Sequence, residues 1–515
     1  MRDFIRNTMI NTGALATVGA LNLLLVPILI SGYGLAAYGV IVLARLLLPS
    51  VALGVFDLGL PNVATRNIAY HLARKEIEKI AEVVSCALLL ALLIGSAVMF
   101  AFLALDIEDF ARFFRVEPAQ QDGFRMVFLA LATALPILFP GVVLQGAIEG
   151  WEKFWITRSV EIAVNSLYFA AAVWIVMTDR PFHLVALTFI LLQVGKAFVF
   201  AAVVAWLVGS QRRNLLRPRL AGLRRMVPEM RVLYANKVID LVNNDAPALL
   251  VAQFVGPAGL GMFDALIRIP RFLRTLFNVL KTTVMPVAMR LSTGDTARNM
   301  HALILAGTRI SAFCMMPLVF NGIVYSDDFL GLWLGPDFAK LGLFLSLALG
   351  GVMVFGLLGV VPMASVPRLS VLRAINRVGA GEGIIKVSLL LALLPWLGTK
   401  AAFIVIAALA AASYLLQLRI VLPAHGIDEF TWRWMVTKIA VASVLPPVVV
   451  STLARGLPPG PAWWSAVLIA LSTLASYAAV YMAWSPEERG EFGRIVATAL
   501  SILRLRRPRA SGAAE

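Results

Sequence analysis

The stretch FDALIRIPRFLRTLFNVLK, residues 263–281, has the length and apolar content of a membrane helix, yet it carries five charged side chains. These are Asp264, Arg268, Arg271, Arg274 and Lys281. At 100° per residue, the acid, the three arginines and Asn278 fall within an arc of about 120°, with the lysine at its edge. The opposite face is Leu, Ile, Phe and Val. A single polar stripe on an apolar helix predicts that the helix lines a cavity inside a membrane protein.

The rest of the chain is also apolar enough to lie mostly in lipid. Of its 515 residues, 60% are hydrophobic and 14% are charged, whereas soluble domains average about 45–50% and about 25%. Runs of about 20 apolar residues recur, and each is long enough to cross a bilayer. We therefore predict an all-α polytopic membrane protein with about 14 transmembrane helices. The predicted spans are 9–31, 37–60, 81–105, 124–147, 157–178, 184–208, 233–255, 261–289, 301–325, 341–362, 379–397, 401–423, 436–454 and 462–484.

The loops between these spans differ in charge in an alternating order. Every second loop is rich in Lys and Arg, and the longest of these, 209–232, contains seven arginines. Cytoplasmic loops of membrane proteins carry this excess, so both termini are expected in the cytoplasm. The net charge of +16 follows from the same bias, and a nucleic-acid partner is not expected. The apolar run after MRDFIRNT is read as a retained first helix and not as a cleaved signal peptide.

The basic linker also indicates how the spans are grouped. It separates the first twelve spans into six and six, which gives both halves the same orientation, as in transporters built from parallel repeats. GYGLAAYGVIVLAR at 32–45 and VGPAGLGMFDALIR at 255–268 support a pseudo-repeat, because both open with glycines and end in an arginine. The predicted domains are an N-terminal lobe 1–208, the linker 209–232, a C-terminal lobe 233–423, two further helices in 424–484 and a basic cytoplasmic tail 485–515.

Several kinds of chemistry are not expected of this chain. The loops outside the membrane are too short for a catalytic domain, which argues against a membrane polymerase or glycosyltransferase. No phosphate-binding loop of the GxxxxGK[ST] type is present, so ATP hydrolysis by this chain is not expected. The four histidines lie near span ends without the spacing of metal ligands. We predict neither catalytic residues nor a cofactor nor a metal site.

The charges inside spans are the candidate site. A cation at the bilayer centre costs roughly 2.5–3.5 kcal/mol and is tolerated when it faces water or a partner. In YANKVIDLVNNDAPALLV, residues 234–251, a lysine, an aspartate and an asparagine share one face. The predicted substrate-binding cations are Arg45, Lys237, Arg268, Arg271 and Arg274, with Asn22, Asn244 and Asn278 as polar cavity residues. Other spans add Lys196, Arg309, Lys386 and Arg419.

Guanidinium groups bind phosphate oxygens in pairs, so such a cavity attracts a bulky multivalent anion. A pyrophosphate attached to a sugar chain fits this requirement, and a small cationic drug does not. Asp264 has an alternative reading, in which it only neutralises Arg268 at i,i+4. The candidate carboxylates for coupling to a proton or sodium gradient are Asp240, Asp245, Asp264 and Glu161. Transport without ion coupling is left open.

Three stretches resemble one known family. FDLGLPNVATRNIA at 56–69, LQGAIEGWEKFWITRSVEI at 144–162 and FVGPAGLGMFDALIRIPRFLR at 254–274 are similar to helix junctions of the Wzx-type polysaccharide export flippases. These belong to the multidrug/oligosaccharidyl-lipid/polysaccharide (MOP) superfamily. The resemblance covers most of the first eight predicted spans. It implies two six-helix lobes around a central cavity, in the manner of MATE transporters, with two additional C-terminal helices.

The resemblance also implies a function. Members move undecaprenyl-pyrophosphate-linked oligosaccharide from the inner to the outer leaflet of the bacterial inner membrane by alternating access, for O-antigen or exopolysaccharide biosynthesis. The expected partners are this lipid-linked oligosaccharide, membrane lipid, and assembly proteins such as a polysaccharide polymerase. The alternative is another transporter of the superfamily, either a lipid II flippase or a cation-coupled multidrug exporter.

Overall fold

The computed structural model describes residues 2–209, 230, 234, 237–282, 296–358, 369–454, 463–490 and 492–493. The regular secondary structure within these ranges is helical, as the apolar runs predicted. The helices are α1 (Arg2–Leu46), α2 (Leu60–Ala73), α3 (Ile77–Ala104), α4 (Ile107–Phe113), α5 (Gln121–Gly150), α6 (Phe154–Met177), α7 (His183–Gly209), α8 (Lys237–Asn244), α9 (Ala246–Val255), α10 (Pro257–Thr282), α11 (Thr296–Val324), α12 (Ser326–Trp333), α13 (Gly342–Leu358), α14 (Leu369–Leu397), α15 (Thr399–Ala424), α16 (Glu429–Ala454) and α17 (Trp463–Ala483).

The predicted number of membrane spans is not reached among the described residues. Among the described residues, 11 helices are long and apolar enough to cross a membrane, or up to 12 if α8 and α9, bent by 44°, form one span. The predicted count of 14 is therefore not confirmed. The first two predicted spans fall largely in α1, which consists of two helical parts joined at a kink at Gly34 and counts as one span here. Helix α10 does not qualify, because its charged stripe interrupts the apolar run.

The chain divides into two compact units. The first contains the described residues up to 279 together with 333–335 and 374–413, and it therefore combines α1–α10 with parts of α14 and α15. In this unit α5 packs against α2, α3 and α7, while α1 packs against α6. The division into lobes at the linker 209–232 stays a prediction, because most of this linker lies outside the described residues.

Two glycines allow α1 and α10 to cross at very short distance. A Cβ atom on Gly39 would lie 1.7 Å from the carbonyl oxygen of Pro257, and one on Gly261 would lie 2.5 Å from that of Leu35. Small residues at such crossings let two backbones approach closely. The two stretches that suggested an internal repeat therefore pack against each other, and their charged residues are brought together.

The same two stretches share an unusual backbone conformation. Gly34 has φ 78° and ψ 172°, and Gly256 has φ 91° and ψ −179°. This region is essentially restricted to glycine, because a Cβ atom would clash with the backbone. Each of these glycines comes five residues before the glycine at the crossing. The repeat is thus visible in backbone geometry as well as in residue type.

The second unit contains the described residues of 280–332, 336–373 and 414–515. Its helix α11 packs against α13, α16 and α17. A buried polar group joins α11 to α17: Asn321 accepts a 2.6 Å hydrogen bond from the hydroxyl of Ser472 and donates one of 3.1 Å to Ser476. Such bonds hold helices together in lipid, where apolar faces alone give little association.

Candidate functional site

The polar stripe of α10 begins with a buried carboxylate. Asp264 is only 4% exposed. It is bound by the guanidinium of Arg268, one turn further along, through Nη2 and through Nε at 3.0 Å. The Tyr38 hydroxyl, from α1, donates a 2.7 Å hydrogen bond to the same carboxylate oxygen. The close crossing at Gly39 brings this tyrosine within reach, so the fold of α1 positions the first part of the site.

A second guanidinium enters the same cluster from the end of α1. Arg45 donates a 2.6 Å hydrogen bond from Nη2 to the side-chain oxygen of Asn22. Its guanidinium carbon lies 4.9 Å from the ring centroid of Phe189 and 5.8 Å from that of Tyr168. Contact with aromatic faces stabilises a cation away from bulk water. The backbone oxygen of Asn22 also accepts a 3.4 Å bond from Arg268, which connects the two arginines.

The third guanidinium, Arg271, is held more loosely. Its Nη1 lies 3.7 Å from Asp264, and its side chain is 42% exposed, against 13% for that of Arg268. Asp264 is therefore the counter-ion of both Arg268 and Arg271, while Arg45 contacts an amide and two aromatic rings. Taken together, these described contacts place three cations around one anion, so the cluster carries net positive charge. Arg271 is the cation with the most surface available to another molecule.

The remaining arginine of the stripe lies in a neighbouring group. Arg274 donates a 2.6 Å bond to the side-chain oxygen of Asn244, whose amide in turn donates a 2.5 Å bond to Asp240. Asp245 follows at the bend between α8 and α9, where it is half-buried. The side chain of Asn278 lies outside the described part of the structure. The predicted polar face of residues 234–251 therefore meets the stripe of α10.

Lys237 has a partner that the sequence did not suggest. Its ammonium group pairs with Asp57, which is 2% exposed and comes from the turn before α2. Asp57 also accepts a 2.8 Å hydrogen bond from the backbone N–H of Gly59. The sequence alone suggests no partner for this aspartate of the FDLG stretch. The structure instead pairs it with the predicted cavity lysine, so Lys237 already has a counter-ion.

Glu161 belongs to a separate group on α5 and α6. It binds Arg158 at 2.6 Å and accepts a 3.0 Å hydrogen bond from the side-chain amide of Gln145. The same amide donates a 3.2 Å bond to Glu149, and Arg158 lies 3.6 Å from that second carboxylate. Two carboxylates thus share one arginine and one amide. The sequence prediction did not include these two partners, because Glu149 lies outside the predicted span 124–147 and Gln145 carries no charge.

The contacts divide the predicted site residues into four groups. Asn22, Arg45, Asp264, Arg268 and Arg271 form one cationic cluster, hereafter the arginine cluster. Asp240, Asn244 and Arg274 form a second group, Lys237 pairs with Asp57, and Glu161 lies with Glu149. Guanidinium groups that share one carboxylate can donate further hydrogen bonds to phosphate oxygens. The arginine cluster is therefore suited to bind an anion.

Most of this site lies in a part of the chain that matches a known family. A family of polysaccharide biosynthesis proteins matches residues 42–341, which is more than half of the chain and includes the whole of α10. No protein among curated sequences matches the chain. The matched range contains every member of the arginine cluster except Asn22.

Solved structures show the same architecture. The lipid II flippase MurJ in an inward closed conformation is 11% identical and aligns with 92% of this chain and 98% of its own, at a TM-score of 0.67. A multidrug resistance MATE family transporter of the MOP superfamily, inward-facing, is 15% identical over 80% of this chain and 95% of its own, at 0.58. A MOP superfamily transporter from Pyrococcus furiosus, described as having a binding pocket of reverse polarity, is 15% identical over 82% and 96%, at 0.50.

Identities this low establish the fold alone, whereas the match over residues 42–341 establishes the family. The resemblance drawn from the three sequence stretches is thereby confirmed. The chain belongs to the family of polysaccharide biosynthesis proteins and has the fold of the MurJ and MATE transporters of the MOP superfamily.

Proposed function

We propose that this protein is a flippase for lipid-linked oligosaccharide. It moves polyprenyl-pyrophosphate-linked sugar units from the inner to the outer leaflet of a bacterial inner membrane, by alternating access, for cell-surface polysaccharide biosynthesis. Both termini lie in the cytoplasm in this proposal, as the basic loops predict. The membership in a polysaccharide biosynthesis family supports the sugar part of the substrate.

The arginine cluster is the observation that supports the pyrophosphate part. Three guanidinium groups surround one carboxylate, and Arg271 is 42% exposed with a long ionic contact of 3.7 Å to Asp264. A pyrophosphate has several charged oxygens, and it can bind two guanidinium forks at once. In this proposal Arg271 contacts the pyrophosphate directly. Arg268 and Arg45 provide the positive field around it.

The alternative transporters of the superfamily make different demands. A cation-coupled drug exporter needs acidic groups facing its substrate, whereas the acid of the arginine cluster is 4% exposed and already bound to Arg268. A lipid II flippase would need the same pyrophosphate site as the proposed protein. The family match therefore favours polysaccharide precursors over lipid II as the substrate. The deletion experiment described below distinguishes these two substrates.

The test uses purified protein in liposomes with a fluorescent polyprenyl-pyrophosphate oligosaccharide placed in one leaflet. We expect the wild type to expose the sugar on the other side, and Arg271→Ala to lose this activity. The matched control is Arg112→Ala, since this arginine is 69% exposed and lies on α4, outside the arginine cluster. Equal activity of both variants would contradict the proposed role of Arg271. Export of a cationic dye, with no transfer of the oligosaccharide, would contradict the proposed function itself.

A cellular experiment distinguishes the two lipid-linked substrates. Deletion of the gene should remove the surface polysaccharide while the cells remain viable. A lethal deletion, rescued by another lipid II flippase, would instead assign the protein to lipid II. Polysaccharide polymerases and other assembly proteins are the expected partners in the first case. The specific polysaccharide, O-antigen or exopolysaccharide, would then follow from the sugar that is lost.

A further inference from the structure

Two guanidinium groups of the arginine cluster are held by different kinds of partner. Arg268 is bound by the carboxylate of Asp264, which neutralises much of its charge. Arg45 instead donates to the side-chain oxygen of Asn22 and lies against two aromatic rings. No carboxylate of the described residues forms an ion pair with Arg45. The charge of this guanidinium is therefore available to a further anion.

The two rings come from the buried faces of α6 and α7. Tyr168 and Phe189 are 1% and 5% exposed, and each is one of the buried side chains through which its helix packs. Their rings meet edge to face, with centroids 4.9 Å apart and an angle of 60° between the planes. Such pairs are more favourable than burial of the two rings alone would give. The packing of α6 against α7 therefore fixes the position of both rings.

Arg45 is close enough to both rings for cation–π interaction. Its guanidinium carbon lies 4.9 Å from the centroid of Phe189 and 5.8 Å from that of Tyr168, and the interaction extends to about 6 Å. The face of an aromatic ring is negative, so it attracts a cation and leaves its charge in place. Arg45 also lies in the last turn of α1, where the partial negative charge of the helix end favours a cation.

The ring of Tyr168, and not its hydroxyl group, makes this contact. The hydroxyl oxygen is buried and has no hydrogen-bond partner among the described residues. Phe189 has no polar group at all. The property that the two side chains share at Arg45 is therefore an aromatic face.

We propose that Tyr168 and Phe189 are positioning residues of the substrate site, which hold Arg45 against their rings and leave its charge to act on the pyrophosphate. The inference rests on the proposed function, because the pyrophosphate is the anion that Arg45 attracts. A carboxylate in place of the rings would also fix the guanidinium, but it would cancel the charge. The aromatic pair orients the cation without supplying a counter-ion.

The experiment measures the affinity of the full-length protein, purified in detergent, for inorganic pyrophosphate by titration calorimetry. Phe189 is replaced by phenylalanine carrying one, two or three fluorine atoms, which nearly preserve the shape of the ring and withdraw electron density from its face. We expect the dissociation constant to rise with each fluorine, by about tenfold over the series. The control is the same series at Phe200, which is buried on the same helix and lies over no cation in the part of the chain that the structure describes.

Ordinary substitutions provide a second measurement. Tyr168→Leu should weaken pyrophosphate binding about fivefold, and Tyr168→Phe should restore it, because the ring returns without the hydroxyl group. Phe189→Leu should weaken binding in the wild type and have no further effect in Arg45→Gln, since the ring acts through that arginine. An equal loss in both backgrounds would overturn the proposal.

Failure of this inference differs from failure of the proposed function. Constant affinity across the fluorine series at Phe189, with oligosaccharide transfer intact, would overturn the positioning role and leave the flippase function standing. An equal rise in both series would also overturn it, because fluorine would then act on packing. A wild type that neither binds pyrophosphate nor transfers the oligosaccharide would contradict both. If the leucine variants do not fold, the fluorinated proteins decide, since they keep the ring.

Discussion

Tyr38 donates a 2.7 Å hydrogen bond to Asp264, and the two side chains are 1% and 4% exposed. The bond joins α1 to α10 next to the glycine crossing, since Tyr38 precedes Gly39. It binds the same oxygen that Arg268 contacts, so the tyrosine and the arginine fix one carboxylate from two sides. The position of the arginine cluster therefore depends on the neutral hydroxyl of Tyr38, which is not among the predicted site residues.

Tyr38→Phe should lower the free energy of unfolding by about 1 kcal/mol, because it removes one hydrogen bond to a carboxylate that keeps its guanidinium partner. The measurement is thermal or denaturant unfolding of the purified protein in detergent. Tyr33→Phe is the matched control, because its hydroxyl donates to a backbone oxygen, that of Arg180, at an exposed site. An equal loss in both variants would show that the buried bond has no special weight.

Substitution of Arg268 should impair folding, whereas substitution of Arg271 should impair transport. Arg268→Ala leaves Asp264 without its main counter-ion, and loss of one partner of a buried pair costs about 3–5 kcal/mol. We expect this variant to fold poorly, as judged by monodisperse yield. Arg271→Ala should keep the wild-type yield, because its side chain is 42% exposed, and should lose surface polysaccharide in a complementation assay. Normal polysaccharide with Arg271→Ala would contradict its role as a substrate ligand.

The pair between Asp57 and Lys237 can be measured by a double-mutant cycle. Asp57→Asn and Lys237→Gln should each cost about 3 kcal/mol, because each leaves a poorly hydrated charge without its partner. The double variant should cost less than the sum of the two, since neither charge remains. Unfolding of purified protein gives the three values. Strict additivity would show that the two side chains do not interact in solution.

The crossing of α1 and α10 should not tolerate a methyl group. Gly39→Ala places its Cβ atom against the backbone of Pro257, which cannot move aside as a side chain can. We expect the yield of folded protein to fall severely. Gly195→Ala is the control, because nothing lies within 4 Å of the position that its Cβ atom would occupy. Normal folding of both variants would contradict the close approach of the two helices.

Ion coupling can be tested at the two linked carboxylates of α5 and α6. If they carry the coupling ion, Glu161→Gln should abolish the dependence of oligosaccharide transfer on an imposed proton or sodium gradient. Glu149→Gln should have the same effect, because both carboxylates share the amide of Gln145. Liposomes with defined gradients provide the measurement. Gradient-dependent transfer in both variants would exclude this group and direct attention to Asp240 and Asp245.

The sequence predicted those parts of the site that lie within one helix. The stripe of α10 follows from the helical period, and the pairing of Asp264 with Arg268 follows from their i,i+4 spacing. The partners Tyr38 and Asp57 could not be predicted in this way. They lie 226 and 180 residues from Asp264 and Lys237, so their contacts depend on which helices cross and at what distance. Local periodicity does not contain that information.

The predicted count of 14 spans is not confirmed among the described residues, and α1 and α10 show why. Hydropathy predicts two helices at 9–31 and 37–60, and α1 consists of two helical parts that meet at a kink at Gly34. The two parts count as one span by length and composition, because a single kinked glycine separates them. The charged stripe lowers the count in the same way at α10, which lies in the predicted span 261–289. Its periodicity predicts a helix, while its composition fails the test for a lipid-facing span. Helix formation and exposure to lipid are separate properties. The sequence predicted that α10 is a helix, but it did not predict whether this helix faces lipid.

The backbone at Gly34 and Gly256 has a consequence for handedness. Dihedral angles near +80° and 180° are the mirror image of an extended conformation that ordinary L-residues adopt with ease. A D-alanine introduced by chemical ligation should therefore fit either position, whereas L-alanine should not. Both copies of the repeat thus contain one residue whose backbone conformation is the one that a D-amino acid prefers. Among the encoded amino acids only the achiral one meets that demand.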